Sequence, residues 1–174
     1  MSGPPGPARE PGVVLRPISP EAAAALVAGR APSDVAVAPD HPTEFSAQVA
    51  RHVDGAEGGQ RLGPFFIHRG DDEVVVGEIG AARTAPGTFE IGYAVVASCQ
   101  GRGYATAAVR ALVALVRTVP GIERVVAHTP VDRPASARVL AKAGFTPSGE
   151  RTEEHDGATL RVLRWELALG GTDG

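Results

Sequence analysis

The hydrophobic period of this chain changes sharply at Gln100, and that change limits the folds open to it. Upstream, PFFIHR (64–69), EVVVGEIGAAR (73–83) and TFEIGYAVVA (88–97) are runs rich in Val, Ile, Phe and Tyr. RGDDE and TAPGT separate them and read as hairpin turns, so the three runs predict an antiparallel meander. Downstream, Val109, Leu112, Val113 and Val116 fall at i, i+3, i+4 and i+7, which is one face of an α-helix. Pro120-Gly121 ends that helix. A sheet must therefore hand over to a helix through a short turn at 98–104.

The flanking segments extend the pattern. VVLRPIS (13–19) reads as a first strand. Ser19, Pro20 and Glu21 give a helix start, with a capping hydroxyl, a proline at the first helical position and an acid in the first turn. That helix runs to about Ala28. Residues 31–42 carry several prolines and read as a loop, and Thr43 opens a second helix to about Val53. ERVVAHTP (123–130) is a short strand. Pro134 opens a helix that stops at Gly144, with Phe145 as the apolar contact beyond the cap. GERTEEHD and ATLRVLRWELAL are strands that turn at Asp156-Gly157. The order β-α-α-β-β-β-α-β-α-β-β predicts an α/β (α+β) domain: a mixed, mostly antiparallel sheet with helices on both faces.

Length and composition bound the rest. At 174 residues one domain is expected, over 13–169, with a Gly/Pro-rich disordered leader at 1–12 and a flexible tail at 170–174. A net charge of −3 gives no basic stripe for nucleic acid. Cys99 is the single cysteine, so neither a disulfide framework nor a cysteine zinc cluster is available within the chain. No apolar stretch of about 18 residues is present, and the N-terminus lacks the layout of a signal peptide. The expectation is a cytoplasmic chain with no membrane or nucleic-acid partner and no metal.

The turn itself, SCQGRGYATAAVRALVALV (98–116), is where chemistry is expected. A helix start presents free backbone N–H groups and the positive end of the macrodipole. Gly101 and Gly103 remove side chains that would hold a ligand away, and Arg102 adds positive charge. A phosphate or pyrophosphate suits such a turn. No Gly-Lys-Ser/Thr follows, so it is not a Walker loop, and it does not open a βαβ unit as a dinucleotide fingerprint does. Taken alone, the turn reads equally well as structural punctuation.

The stretch EIGYAVVASCQGRGYATAAVRALVALV resembles motif A of the GNAT superfamily of acyl-CoA N-acyltransferases, whose pattern Gln/Arg-x-x-Gly-x-Gly/Ala is filled by Gln100, Gly103 and Ala105. LRPIS near the start, VVGEIG (75–80), EIGYAV (90–95) and SARVLAKAGF (136–145) are similar to the branch that acetylates ribosomal-protein and other protein N-termini. The resemblance covers roughly residues 13–168.

The resemblance implies acetyl transfer from acetyl-CoA to an amine by direct attack. It assigns Gln100, Gly101, Arg102, Gly103, Tyr104 and Ala105 to the pyrophosphate turn. It assigns the backbone of Val95, Val96 and Ala97 to the pantetheine arm, with one N–H polarising the thioester carbonyl. A protonated amine needs a base; Glu90 is the first candidate and Glu78 the second, and each also reads as a solvent-facing strand residue. His128 sits on a strand near the expected cleft, and a structural role suits it as well. The superfamily's tyrosine on the last helix is replaced by Leu140, and Ser136, at the start of that helix, is the alternative group for the sulfur. The family's asparagine three residues before that serine is Arg133 here, a coenzyme contact with donors only. Cys99, Tyr93, Tyr104 and Trp165 read as packing residues. His41, His52, His68 and His155 are expected in loops or on the surface.

The acceptor, a protein N-terminus or a small amine, is expected against residues 20–62, where Asp34, Asp40, Glu44 and Glu57 offer negative charge. The departures at Arg133 and Leu140 keep a second reading open, a non-catalytic acyl-CoA-binding module on the same fold. A homodimer through the last strands is also possible on sequence grounds.

Overall fold

A computed structural model describes residues 10–50, 61–155 and 157–170. Its elements are β1 (Val13–Pro17), α1 (Pro20–Val27), α2 (Ser46–Ala50), β2 (Arg61–Arg69), β3 (Val75–Ala85), β4 (Thr88–Val95), α3 (Tyr104–Val116), β5 (Arg124–Pro130), α4 (Pro134–Lys142), β6 (Thr146–His155) and β7 (Ala158–Ala168). The strands form one seven-stranded sheet in the order β1-β2-β3-β4-β5-β7-β6. β4 and β5 run parallel, and the other pairs run antiparallel. The expected mixed, mostly antiparallel sheet is present, with helices on both faces.

Strand alternation sorts side chains into two cores. On one face Ile67, Ile79, Phe89, Ile91, Val125, Ala127 and Trp165 meet the apolar stripe of α3 (Ala108, Val109, Leu112, Val116) and Leu140 of α4. On the other, Phe66 and Val75 meet Ala22, Ala23 and Leu26 of α1 and Ala50 of α2. The start of α1 is as the sequence predicts: Ser19 Oγ accepts the Ala22 N–H at 3.0 Å. The Gly144 turn also follows, with Phe145 buried and its N–H donating to Leu140 O at 3.0 Å.

Several boundaries differ from expectation. β2 begins at Arg61 rather than Pro64, because a register shift between Leu62 and Phe65 lets Gly63 (φ +85°) and Pro64 sit inside the strand without ladder bonds. β6 begins at Thr146 rather than Gly149, with a second irregularity between Pro147 and Gly149. β4 stops at Val95, and Ala97–Cys99 forms a 3₁₀ turn. α2 is shorter than predicted, and the expected end of that helix, at 51–53, lies outside the described residues, as do His52, Glu57, residues 1–9, Asp156 and the tail at 171–174. Residues 10–12 of the expected leader are tied down: Gly12 O accepts from Gly70 N–H at 2.9 Å, and Glu10 pairs with Arg110 of α3 at 2.7 Å. Among the described residues, no helix is long and apolar enough to cross a membrane.

Candidate active site

The parallel pairing of β4 with β5 runs from Thr88↔Arg124 to Ile91↔Ala127 and then ends. Beyond that point β4 stays on β3 as far as Val95, and β5 stays on β7 as far as Pro130. The two strands therefore splay. A cleft of about 820 Å³ opens there, lined by Glu90, Gly92, Tyr93, His128, Thr129, Arg133 and Ser136 among others.

Backbone direction follows from the ladder. Val96 N–H donates to Val76 O at 2.8 Å, so in an antiparallel pair the backbone groups of Ala94 and Gly92 also point to β3. Those of Tyr93 and Val95 point to the gap. Of the three residues expected along the pantetheine arm, Val95 faces the gap, Val96 is bonded to β3, and Ala97 opens the 3₁₀ turn. Val95 O already accepts from Gln100 Nε2 at 3.0 Å, which ties the glutamine of the turn to the end of the strand.

The turn ends on Gly103, whose φ of +89° is the left-handed region that glycine alone adopts without strain. Gly103 O accepts the Ala107 N–H at 3.0 Å, so the N–H groups of Gly103, Tyr104, Ala105 and Thr106 precede the first intrahelical bond of α3. Gly101 (φ +73°), Arg102 and Gly103 are exposed, and Tyr104 and Ala105 are half-buried. A Cβ on Gly103 would stand 2.9 Å from Pro11 Cδ, so residues 10–12 form one wall of this turn.

Alternation also divides the polar side chains between the sheet's faces. Glu90 and His128 lie on the α1/α2 face. His128 Nδ1 is 2.9 Å from Glu90 Oε1, and the ring is 11% exposed. Its Nε2 is buried with no partner among the described residues. Tyr93 lies on the α3/α4 face, and its hydroxyl donates to Ser136 O at 3.3 Å in the first turn of α4. Leu140 is fully buried in the core beneath it, so packing occupies the position where the family's tyrosine was sought. Arg133 is engaged by the segment before α2: both its terminal nitrogens donate to Glu44 Oε1 at 3.2 Å, and its guanidinium lies 5.1 Å from the Phe45 ring centroid.

Burial pushes the Tyr93 phenol up to about 12. A phenol whose folded value is raised contributes stability that is complete below about pH 10, its unfolded value, and is lost as pH rises through the folded one. Alkaline denaturation of wild type should therefore steepen between about pH 10 and 12, and Tyr93→Phe should flatten that window. In a Tyr104→Phe variant, absorbance of the remaining phenolate should rise only near pH 12.

Glu78 is not in this cleft. It is fully buried, with His41 Nε2 2.5 Å from its Oε1 and Ser46 Oγ donating to the same oxygen at 2.9 Å. This cluster pins the segment before α2 to β3. His41 and His68, expected in loops or on the surface, are both buried: the bridge Val37↔Val75 and the bond from Ala38 N–H to Val75 O draw the loop of His41 under the sheet, and His68 lies on β2 with its Nδ1 2.6 Å from Glu73 O. Asp40 anchors the same loop to the 3₁₀ turn by accepting Ser98 N–H at 2.8 Å and Ser98 Oγ–H at 2.6 Å, and these bonds hold its carboxyl below the usual value. Cys99 is buried in the main core, and Trp165 packs there with its Nε1–H donating to Thr129 Oγ1 at 2.9 Å. The Glu90–His128 pair escaped the sequence reading. It depends on the parallel register that pairs Glu90 with Val126 and so sets His128, two residues further along β5, on the same face, which no local sequence signal carries.

Comparison with known proteins gives these features a family. The profile of the acetyltransferase (GNAT) domain matches residues 13–146. Among solved structures, Mycobacterium smegmatis RimJ in complex with CoA-disulfide is 25% identical, covering 90% of this chain and 82% of its own, with a TM-score of 0.66. A GNAT-family acetyltransferase from Bacillus anthracis is 18% identical over 92% of this chain and 97% of its own, at a TM-score of 0.67. A chimera of the Vibrio cholerae spermidine N-acetyltransferase SpeG is 14% identical over 90% of this chain and 95% of its own, at 0.65. No curated protein matches the sequence. With a matched profile over most of its length and the fold of these enzymes, the chain belongs to the GNAT acetyltransferase family.

Proposed function

We propose that the chain moves the acetyl group of acetyl-CoA onto a primary amine, on a protein N-terminus or a small molecule, by direct attack. One observation carries this reading: the β4–β5 gap reaches both faces of the sheet and ends beside a glycine turn with free helix N–H groups. Residues 100–105 receive the pyrophosphate on backbone N–H groups, with Arg102 adding charge. The gap-facing backbone of Tyr93 and Val95 lies along the pantetheine arm, and one of these N–H groups meets the carbonyl oxygen as charge develops on it. Ser136 and Arg133, at the start of α4, border the sulfur end. Glu90 serves the amine on the opposite face. Holding amine and thioester together in one gap supplies much of the acceleration. The same reading includes a homodimer paired through β6, an edge strand of the sheet.

Calorimetric titration with acetyl-CoA tests the turn. Gly103→Glu should weaken binding at least about tenfold, or about 1.4 kcal/mol, because a carboxylate there meets Pro11 and repels phosphate. Arg102→Glu, which leaves the glycine backbone intact, should weaken it in the same direction and more strongly at low salt. Wild-type-like binding by both variants would remove the turn from the coenzyme site.

A further inference from the structure

We infer that His128 Nε2 is the atom that takes the proton from the acceptor amine, and that Glu90 is a positioning residue acting through it. The inference rests on the acetyl-transfer reading above and names the proton path within it.

The tautomer follows from the pairing. An ionised carboxylate only accepts hydrogen bonds, so the 2.9 Å contact places the proton of a neutral His128 on Nδ1, donating to Glu90 Oε1. Nε2 then carries a lone pair. It is buried and has no partner among the described residues, although an unsatisfied buried nitrogen is costly. The ring lines the cleft, and His128 is the first residue of β5 beyond the last bond to β4. The ring thus stands where the strands part, on the face opposite Tyr93 and Ser136.

The surrounding charges leave this pair to act together. Arg164 of β7 lies directly across from His128, but its Nη1 donates to Glu166 Oε2 and to Ser148 Oγ, both at 2.7 Å. Arg133 is held by Glu44. Arg61 of β2 and Glu153 of β6 line the cleft further out, Glu153 paired with Arg151. Glu90 is the carboxylate in direct contact with the imidazole.

The proton balance closes. The amine arrives as an ammonium and gives one proton to Nε2, forming an imidazolium stabilised by Glu90. The freed nitrogen lone pair attacks the thioester carbon, and the carbonyl oxygen takes up negative charge. The C–S bond then breaks with its electron pair passing to sulfur. The second nitrogen proton goes to that sulfur, and the imidazolium releases the first to solvent.

The test combines activity with a ring-nitrogen measurement. Wild type, His128→Gln, His128→Ala and Glu90→Gln are compared for folding by circular dichroism, for acetyl-CoA binding by calorimetry, and for kcat across pH against a panel of peptides and amines. His128→Gln should lose about 10²-fold or more in kcat, bind acetyl-CoA within about twofold of wild type, and lose the acidic limb of the pH profile. Added imidazole should partly restore His128→Ala. Glu90→Gln should keep the limb with a smaller loss of kcat than His128→Gln, because the ring is less firmly held. ¹⁵N spectra of wild type should show the Nδ1–H tautomer. Wild-type kcat and limb in a folded His128→Gln would overturn the inference and leave acetyl transfer standing, as would an Nε2–H tautomer. Loss of the limb in Glu90→Gln alone would make Glu90 itself the base and also overturn it. A wild type that binds acetyl-CoA yet acetylates nothing in the panel would overturn the transfer reading and this inference with it.

Discussion

Gly77→Ala is expected to lower the melting temperature by about 2–12 °C, taking overpacking at about 1–3 kcal/mol and about 2–4 °C per kcal/mol for a chain of this size. A Cβ at Gly77 would stand 2.0 Å from Ala94 O and 3.0 Å from Val95 Cα. Alanine has no rotamer to escape with, and the obstruction is backbone. β3 and β4 must move apart where Gly77 pairs with Val95, at the rim of the gap. The cost therefore falls on stability and on the gap together, and acetyl-CoA affinity should drop as well. Gly80→Ala is the control: its nearest contact would be 3.4 Å, which the neighbouring Pro64 accommodates. Thermal melts by circular dichroism and calorimetry on both variants check the pair. Equal melting temperatures would mean that the strands part at little cost.

The second large effect is expected at Glu78→Ala. A buried polar group left without its hydrogen-bond partner costs about 1–3 kcal/mol. Here His41 and Ser46 both lose the oxygen they share. Glu78→Gln keeps the shape and an acceptor, and should cost less. The segment these bonds hold also carries Glu44 and Phe45 on the cleft side. The lost stability should thus be joined by a rise in KM for the amine, with acetyl-CoA affinity little changed. Urea denaturation and steady-state kinetics on the two variants measure both terms. A wild-type urea midpoint in Glu78→Ala would show that the cluster holds nothing in place.

The sequence made the order of elements legible because most signals were local. The Ser19 cap, the α3 stripe and the Gly144 stop each lie within a few residues of the structure they specify. The GNAT resemblance was legible for the same reason, being concentrated around the 100–105 turn. What stayed hidden depends on residues far apart. The Glu90–His128 contact needs two strands to pair in parallel with a known register. The Arg133–Glu44 clasp joins positions 89 residues apart, and Glu78–His41 spans 37. His41 was misread because proline-rich loops are solvent-facing as a rule, and only the β-bridge at Val37 takes this one inside. β2 was read too short because Gly63-Pro64 breaks local periodicity, while a bulge absorbs the break in three dimensions.

A gap that reaches both faces of the sheet gives two substrates separate doors. On the proposed reading the coenzyme uses the side with Tyr93 and Ser136, and the amine uses the side with Glu90 and His128. Neither substrate has to vacate the site before the other enters. Cys99, the chain's one thiol, is sealed in the core and cannot store the acetyl group between visits. The rate law for such an arrangement is sequential: both reactants occupy the protein at once, double-reciprocal plots intersect, and each product competes with the substrate that uses its own door. Isotope exchange between acetyl-CoA and free coenzyme should then require the amine.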